Sequence, residues 1–155
     1  DECGISYDSC PGVSACFGAA ASMNLEYTLP GVSQSLIITR CEGRTAVPEG
    51  ESIKGFAEHG TSMASYLSTG LLKEVQDELI AGGYDKDTPA AIVYKATWED
   101  EKICYCRICE LIETAKENNI KKMAVILVGE VVAHRDYKRS KLYDPTFSTE
   151  FRDNQ

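Results

Sequence analysis

Cys104, Cys106 and Cys109 form the densest group of potential ligands or nucleophiles in the sequence. Thiolates hold zinc or attack electrophiles. A structural metal site, however, takes about four ligands, and neither a His-x-His nor a second Cys pair stands near this C-x-C-x-x-C run. The competing reading makes the three thiols small apolar side chains of a half-buried element, and the sequence favours it. His59 and His134 are the only histidines and lie far apart, with no Ser or Cys partner at a catalytic spacing. His59 precedes Gly60 at the end of a predicted helix, where the helix dipole favours a cation.

The basic residues divide into two groups. Arg40 and Arg44 flank a glycine-containing loop that follows a predicted strand. Ligands of open α/β sheets sit at the carboxyl ends of strands, and an Arg there can fork onto a carboxylate. A solvated surface pair explains the same residues. Lys138, Arg139 and Lys141 make a basic run near the C-terminus that reads as a solvated loop or a substrate clamp. Three segments expose backbone or small side chains just after strands: 67–70, 95–97 and 129–130. Bare backbone of this kind can read a purine edge, and it is also what a tight βα turn looks like.

The elements that would position these residues alternate. Residues 34–40, 61–67, 89–94 and 123–129 read as strands; residues 102–106 read as an edge strand. The last of the four, MAVILVG, is apolar along its length, as expected of a strand covered on both faces. Helices are predicted at Ala15–Met23 with Ser14 as cap, at 52–59 with Ser52 as cap, at 71–81 with Leu72, Val75, Leu79 and Ile80 on one face, and at 108–118 with Leu111, Ile112 and Ala115 buried. Gly82-Gly83 terminates the third of these. Residues 6–10 read as the end of a further strand, and 25–33, containing Pro30-Gly31, as a linker. Tyr143-Asp144-Pro145 reads as a turn. The pattern is an α/β domain of about five strands with flanking helices, with a boundary between 1–33 and 34–155.

The bulk figures exclude several classes. The chain has 155 residues, 43% hydrophobic and 26% charged, enough for a real core. No apolar run is long enough to span a bilayer. A net charge of −8 opposes nucleic acid and anionic lipid. Seven cysteines, an odd number, fit reduced cytoplasmic thiols better than a disulfide framework. With no initiator Met and no signal pattern, the sequence is expected to be a piece of a longer protein.

Five segments in order, PGVSA, TLPGVSQSLIITR, TSMASYLSTGLL, TPAAIVYKATWEDEK and MAVILVGEVV, resemble the tetrapyrrole methylase family across nearly the whole chain. EGRTAVPEGESI and SKLYDPTFSTEFR narrow the resemblance to the branch that methylates C-11 of precorrin-4 or cobalt-precorrin-4 in cobalamin biosynthesis. The resemblance implies two α/β domains with S-adenosyl-L-methionine in the cleft between them, a tetrapyrrole substrate, a homodimer and no metal on the enzyme. It implies that this chain covers the last strand and helix of the first domain, the linker and the second domain. The family's Gly-Asp-Pro loop belongs to the part not covered, and no such motif occurs here. Matched by position, cofactor contacts fall on Ser14, Ala15, Leu67, Ala96 and Ala124. Relatives acting on uroporphyrinogen-III read Tyr-Met-Gly where this chain has Tyr66-Leu67-Ser68. Arg40 and Arg44 are the candidates for anchoring substrate carboxylates. No general base is assigned.

Overall fold

The computed structural model describes residues 2–133, 140, 144 and 146–148. His134, Lys138, Arg139, Lys141 and the proposed turn at Tyr143 and Pro145 lie outside the described residues.

Five strands form one mixed sheet: β1 (Leu36–Arg40), β2 (Ser62–Tyr66), β3 (Pro89–Tyr94), β4 (Lys102–Arg107) and β5 (Ala124–Val128), in spatial order β1-β2-β5-β3-β4. β1 and β2 are parallel. β5 enters between β2 and β3 and runs antiparallel to both, so β2 and β3 point the same way. All five β5 residues are buried, which accounts for an apolar run with no alternation. β4 pairs with β3 alone and forms one edge. Cys104 and Cys106 on one face pack against the core while Tyr105 and Arg107 on the other are exposed, as suits a strand with one wet face.

The sheet separates two cores. On one face, α2 (Ile53–Ala57), α3 (Leu72–Ala81) and α4 (Leu111–Glu117) pack through Ile53, Val75, Leu79, Leu111 and Ala115 against Met63, Ile92 and Ile126. On the other, α1 (Ala15–Met23) lays Cys16, Ala19 and Ala20 against Ala64, Ala91, Val93, Val125 and Leu127. Small residues let α1 approach closely: a methyl on Gly18 would stand 3.3 Å from Thr97 Cγ2. The segment read as a linker also packs here. Tyr27 and Leu29 are buried, the Tyr27 hydroxyl donates to Cys16 O at 2.7 Å, and Ser62 Oγ donates to Tyr27 O at 2.7 Å.

Several local expectations are met. Ser52 caps α2, accepting from the Gly55 amide at 3.0 Å, and Gly82 and Gly83 close α3. Others are corrected. Residues 6–10 form no strand; they are exposed, with no described strand beside them to complete a ladder. The helix expected over 108–118 is split, its first turn (Ile108–Glu110) being 3₁₀ and held by the Glu110 carboxylate, which accepts from the Arg107 amide at 2.9 Å. Ile80 sits outside the buried stripe at 39% exposure, because Leu72, Val75 and Leu79 already fill the face against the sheet. Ser14 occupies the N-cap position of α1 by its backbone, but its side chain makes no capping bond.

Gly82 marks the tightest contact between helices. Its φ of −87° suits any residue, but a methyl there would stand 2.3 Å from Lys54 O and 2.5 Å from Ala57 Cβ. Gly82→Ala is expected to cost about 1–3 kcal/mol by overpacking, read as a lower denaturation midpoint at unchanged slope. Gly12→Ala, with nothing within 4 Å, leaves the midpoint in place.

Candidate functional site

The sheet's topology puts three chain segments at one end. β2 and β3 leave the sheet there, and β5 enters it. The loops 67–70, 95–98 and 121–123 therefore converge, and the first turn of α1 closes the fourth side. Between them lies a cavity of about 390 Å³. Its floor is Ala15, Val93, Ala96, Ala124 and Val125; its rim carries Leu67, Lys95, Trp98, Lys121, Lys122 and Met123. The volume falls in the range of small-molecule sites, and so does the apolar floor with few polar groups.

The rim is built from strained backbone. Leu67, Lys95 and Met123 on the rim, and Thr97 within the 95–98 loop, have left-handed φ, of 55°, 46°, 59° and 70° respectively. Such geometry costs of order 1–3 kcal/mol per residue and persists where surrounding contacts impose it. Thr97 is the most strained in type, being β-branched. Leu67 is 84% exposed and Trp98 60%, so two large apolar surfaces stand open at the mouth. Lys95 is engaged. It pairs with Asp100, and its Nζ lies 5.2 Å from the Tyr94 ring centroid and 5.5 Å from that of Trp98. The Asp100 carboxyl is held below its ordinary value chiefly by that hydrogen bond from Lys95.

Tyr66, the last residue of β2, ties this end of the sheet to α1. Its hydroxyl accepts from the Cys16 amide at 2.6 Å and bonds Ser14 Oγ at 2.6 Å. It satisfies one of the donors that a helix start leaves unpaired, the task the sequence assigned to Ser14. Burial is the main cause raising the Tyr66 phenol above its usual value, so it keeps its proton at neutral pH. Behind it, Ser68, fully buried, accepts from the Cys41 amide at 2.9 Å and donates to Tyr66 O at 2.7 Å, fixing the turn that projects Leu67.

The structure brings Ala15, Leu67, Ala96 and Ala124 to this one cavity, with Ser14 held at its border by Tyr66. Arg40 and Arg44 stand elsewhere, in an adjoining concavity of about 750 Å³ that shares Leu67 and Gly70 with the first. The Arg40 guanidinium staples its own loop, donating to Cys41 O at 3.3 Å, Thr45 O at 3.0 Å and Ala46 O at 2.7 Å. Those bonds leave part of its five-donor fork free. Cys104, Cys106 and Cys109 are free thiols. Burial pushes the Cys106 thiol up to about 11 and also raises Cys104, the opposite of a reactive or metal-binding thiolate. Among the described residues no group of three or more His, Cys, Asp or Glu side chains is arranged to hold a metal, and no helix is long and apolar enough to cross a membrane.

Trp98, Lys121, Lys122 and the capping role of Tyr66 were not singled out from sequence. A signal existed for Trp98: the chain's one tryptophan falls in a turn beside Ala96. The bond from Tyr66 to α1 spans 50 residues and leaves no local pattern.

Residues 1–112 match the family Tetrapyrrole (Corrin/Porphyrin) Methylases. Cobalt-precorrin-4 C(11)-methyltransferase of Methanocaldococcus jannaschii is 48% identical over 149 residues, covering 96% of this chain and 58% of that protein. The protein of the same name from Priestia megaterium is 44% identical over 153 residues, covering 96% of this chain and 59% of its own length. The chain thus spans under two thirds of these relatives. The crystal structure of a cobalt precorrin-4 methyltransferase superposes with a TM-score of 0.78 at 44% identity, over 80% of this chain and 52% of that one. Uroporphyrin-III C-methyltransferase from Thermus thermophilus, solved with S-adenosylhomocysteine, gives a TM-score of 0.68 at 20% identity over 84% of this chain and 56% of its own, a likeness of fold.

Tyr66→Phe keeps the ring and removes the hydroxyl that receives the Cys16 amide. The expected loss is about 1–2 kcal/mol of stability, the size of a removed helix cap, with faster amide exchange confined to the first turn of α1. Unchanged exchange at Cys16 would show that the hydroxyl does not hold the helix.

Proposed function

Because the chain belongs to the tetrapyrrole (corrin/porphyrin) methylases, we propose that its cavity receives the adenosyl part of S-adenosyl-L-methionine. The protein then methylates a tetrapyrrole in cobalamin biosynthesis, at C-11 of precorrin-4 or cobalt-precorrin-4. One observation carries the reading: Ala15, Leu67, Ala96 and Ala124, from four separate segments, line a single apolar cavity at the exits of β2 and β3. Relatives of 48% and 44% identity bear the cobalt-precorrin-4 name and support the choice of substrate.

The residues fit such a ligand. Small side chains on the floor allow backbone N–H and C=O groups to approach a purine edge. Val93 and Val125 supply an apolar wall that excludes water from a cationic donor, and excluding water and fixing geometry are the main tasks in such a reaction. When bound, S-adenosylmethionine supplies an electrophilic methyl: a ring carbon's electron pair forms the new C–C bond as the S–CH₃ bond breaks, S-adenosylhomocysteine leaves, and the ring system gives up a proton. No protein nucleophile is needed, and Tyr66, which keeps its proton, is not the base. The adjoining concavity with Arg40 and Arg44 is the place for the substrate's carboxylates, the free part of the Arg40 fork and the exposed Arg44 serving as anchors.

In the same reading, residues 1–33 are the end of a first domain and the linker, 34–155 form the second domain, and a preceding segment supplies the Gly-Asp-Pro loop. The enzyme is a cytoplasmic homodimer with no metal of its own. The net charge of −8 supports the lack of nucleic-acid or membrane partners.

Calorimetric titration of S-adenosylhomocysteine tests the proposal, with this chain compared with one extended at its N-terminus. Binding is expected to be tighter to the extended chain. Ala96→Trp, at the half-buried floor position, is expected to weaken it at least about tenfold by filling the cavity, about 1.4 kcal/mol. Absence of binding to either form would overturn the methyltransferase reading.

A further inference from the structure

We propose that Glu101 is a positioning residue for the cavity, latching the 95–98 loop to α1. The inference rests on the cavity being the cofactor site. The loop supplies Lys95, Ala96 and Trp98 to the cavity wall, yet two of its residues, Lys95 and Thr97, hold left-handed backbone at φ 46° and 70°. Something must hold it there. Its own turn bonds are few: the Lys95 amide reaches Met123 O at 2.9 Å, the Trp98 amide reaches Lys95 O at 3.0 Å and the Glu101 amide reaches Trp98 O at 3.1 Å. Among the described residues, Glu101 is the side chain that hydrogen-bonds both this loop and α1. A single oxygen, Oε2, accepts both the Thr97 amide and, at 2.7 Å, the hydroxyl of Ser22 in the last turn of α1. The Thr97 methyl seats above Gly18 of the same helix. One carboxylate oxygen thus ties the strained residue of the loop to the helix whose first turn forms the opposite wall. Bonds to an ionised acceptor are shorter and stronger than neutral ones. The carboxyl is held below its ordinary value chiefly by the Thr97 amide, in keeping with that geometry.

Because both bonds fall on one oxygen, the side-chain amide of Gln can reproduce them, whereas Ala removes them. Glu101→Ala is expected to speed exchange of the Thr97 amide roughly tenfold, the scale of a lost charge-assisted hydrogen bond. It should weaken S-adenosylhomocysteine binding by a similar factor and leave the Ile92 amide of β3 and the melting temperature in place. Glu101→Gln is expected to restore most of both. Unchanged Thr97 exchange in Glu101→Ala overturns the latch. So does faster exchange with undiminished affinity, which would show that the latched loop does not shape the site. If the unsubstituted protein fails to bind S-adenosylhomocysteine, the cofactor reading falls, and the exchange experiment still decides whether Glu101 holds the loop.

Discussion

Everything at the cavity end of this molecule depends on the direction of β5. Five residues buried on both faces bond to β2 on one side and β3 on the other, antiparallel to each. A strand so placed must enter the sheet where its neighbours leave it. The loops after β2 and β3 and the approach to β5 therefore meet at one edge. In a sheet with all three strands parallel, the 121–123 segment would lie at the far end. The burial of Ile126 and Leu127 thus fixes more than stability: it fixes which loops can share a cavity.

The cavity itself is held open against local preference. Four non-glycine residues around it adopt left-handed backbone, and each is restrained from a different side. Leu67 is carried by the turn that Ser68 locks to Cys41 and Tyr66. Met123 is bonded through its carbonyl to the Lys95 amide. Lys95 is braced by Asp100 and the Tyr94 and Trp98 rings, and Thr97 by Glu101. Tyr66 then fastens α1 across the opening. Strain distributed this way motivates the proposal that the cavity is shaped before a ligand arrives. The floor needs no polar side chains because small residues leave the backbone accessible.

The sheet was largely legible in the sequence, because β-branched runs and glycine punctuation depend only on neighbours along the chain. β1 to β5 fall within a residue or two of where the pattern puts them. Residues 6–10 misled because alternation says what a strand would bury, not whether a partner strand lies beside it. Ile80 misled for a related reason: helical spacing gave it a place on the stripe, but the width of the sheet contact decided against it. At the site, periodicity offered nothing. Ala15 and Ala124 were singled out only by resemblance to a family, whereas Leu67 and Ala96 also fell in small-residue segments just after strands, a pattern that any tight βα turn shares. Tyr66 and Glu101 escaped because their bonds join residues 50 and 79 positions apart, a separation that topology sets.

The central claim is that one small-residue cavity, and not the neighbouring arginine-lined concavity, receives the adenosyl group. Backbone amide shifts recorded during addition of S-adenosylhomocysteine to isotopically labelled protein test it most directly. The account predicts that the amides of Ala15, Leu67, Ala96 and Ala124 move together along one saturation curve, while Arg44 and Thr45 stay still. Shifts confined to residues 40–46, or scattered without a common midpoint, would contradict it.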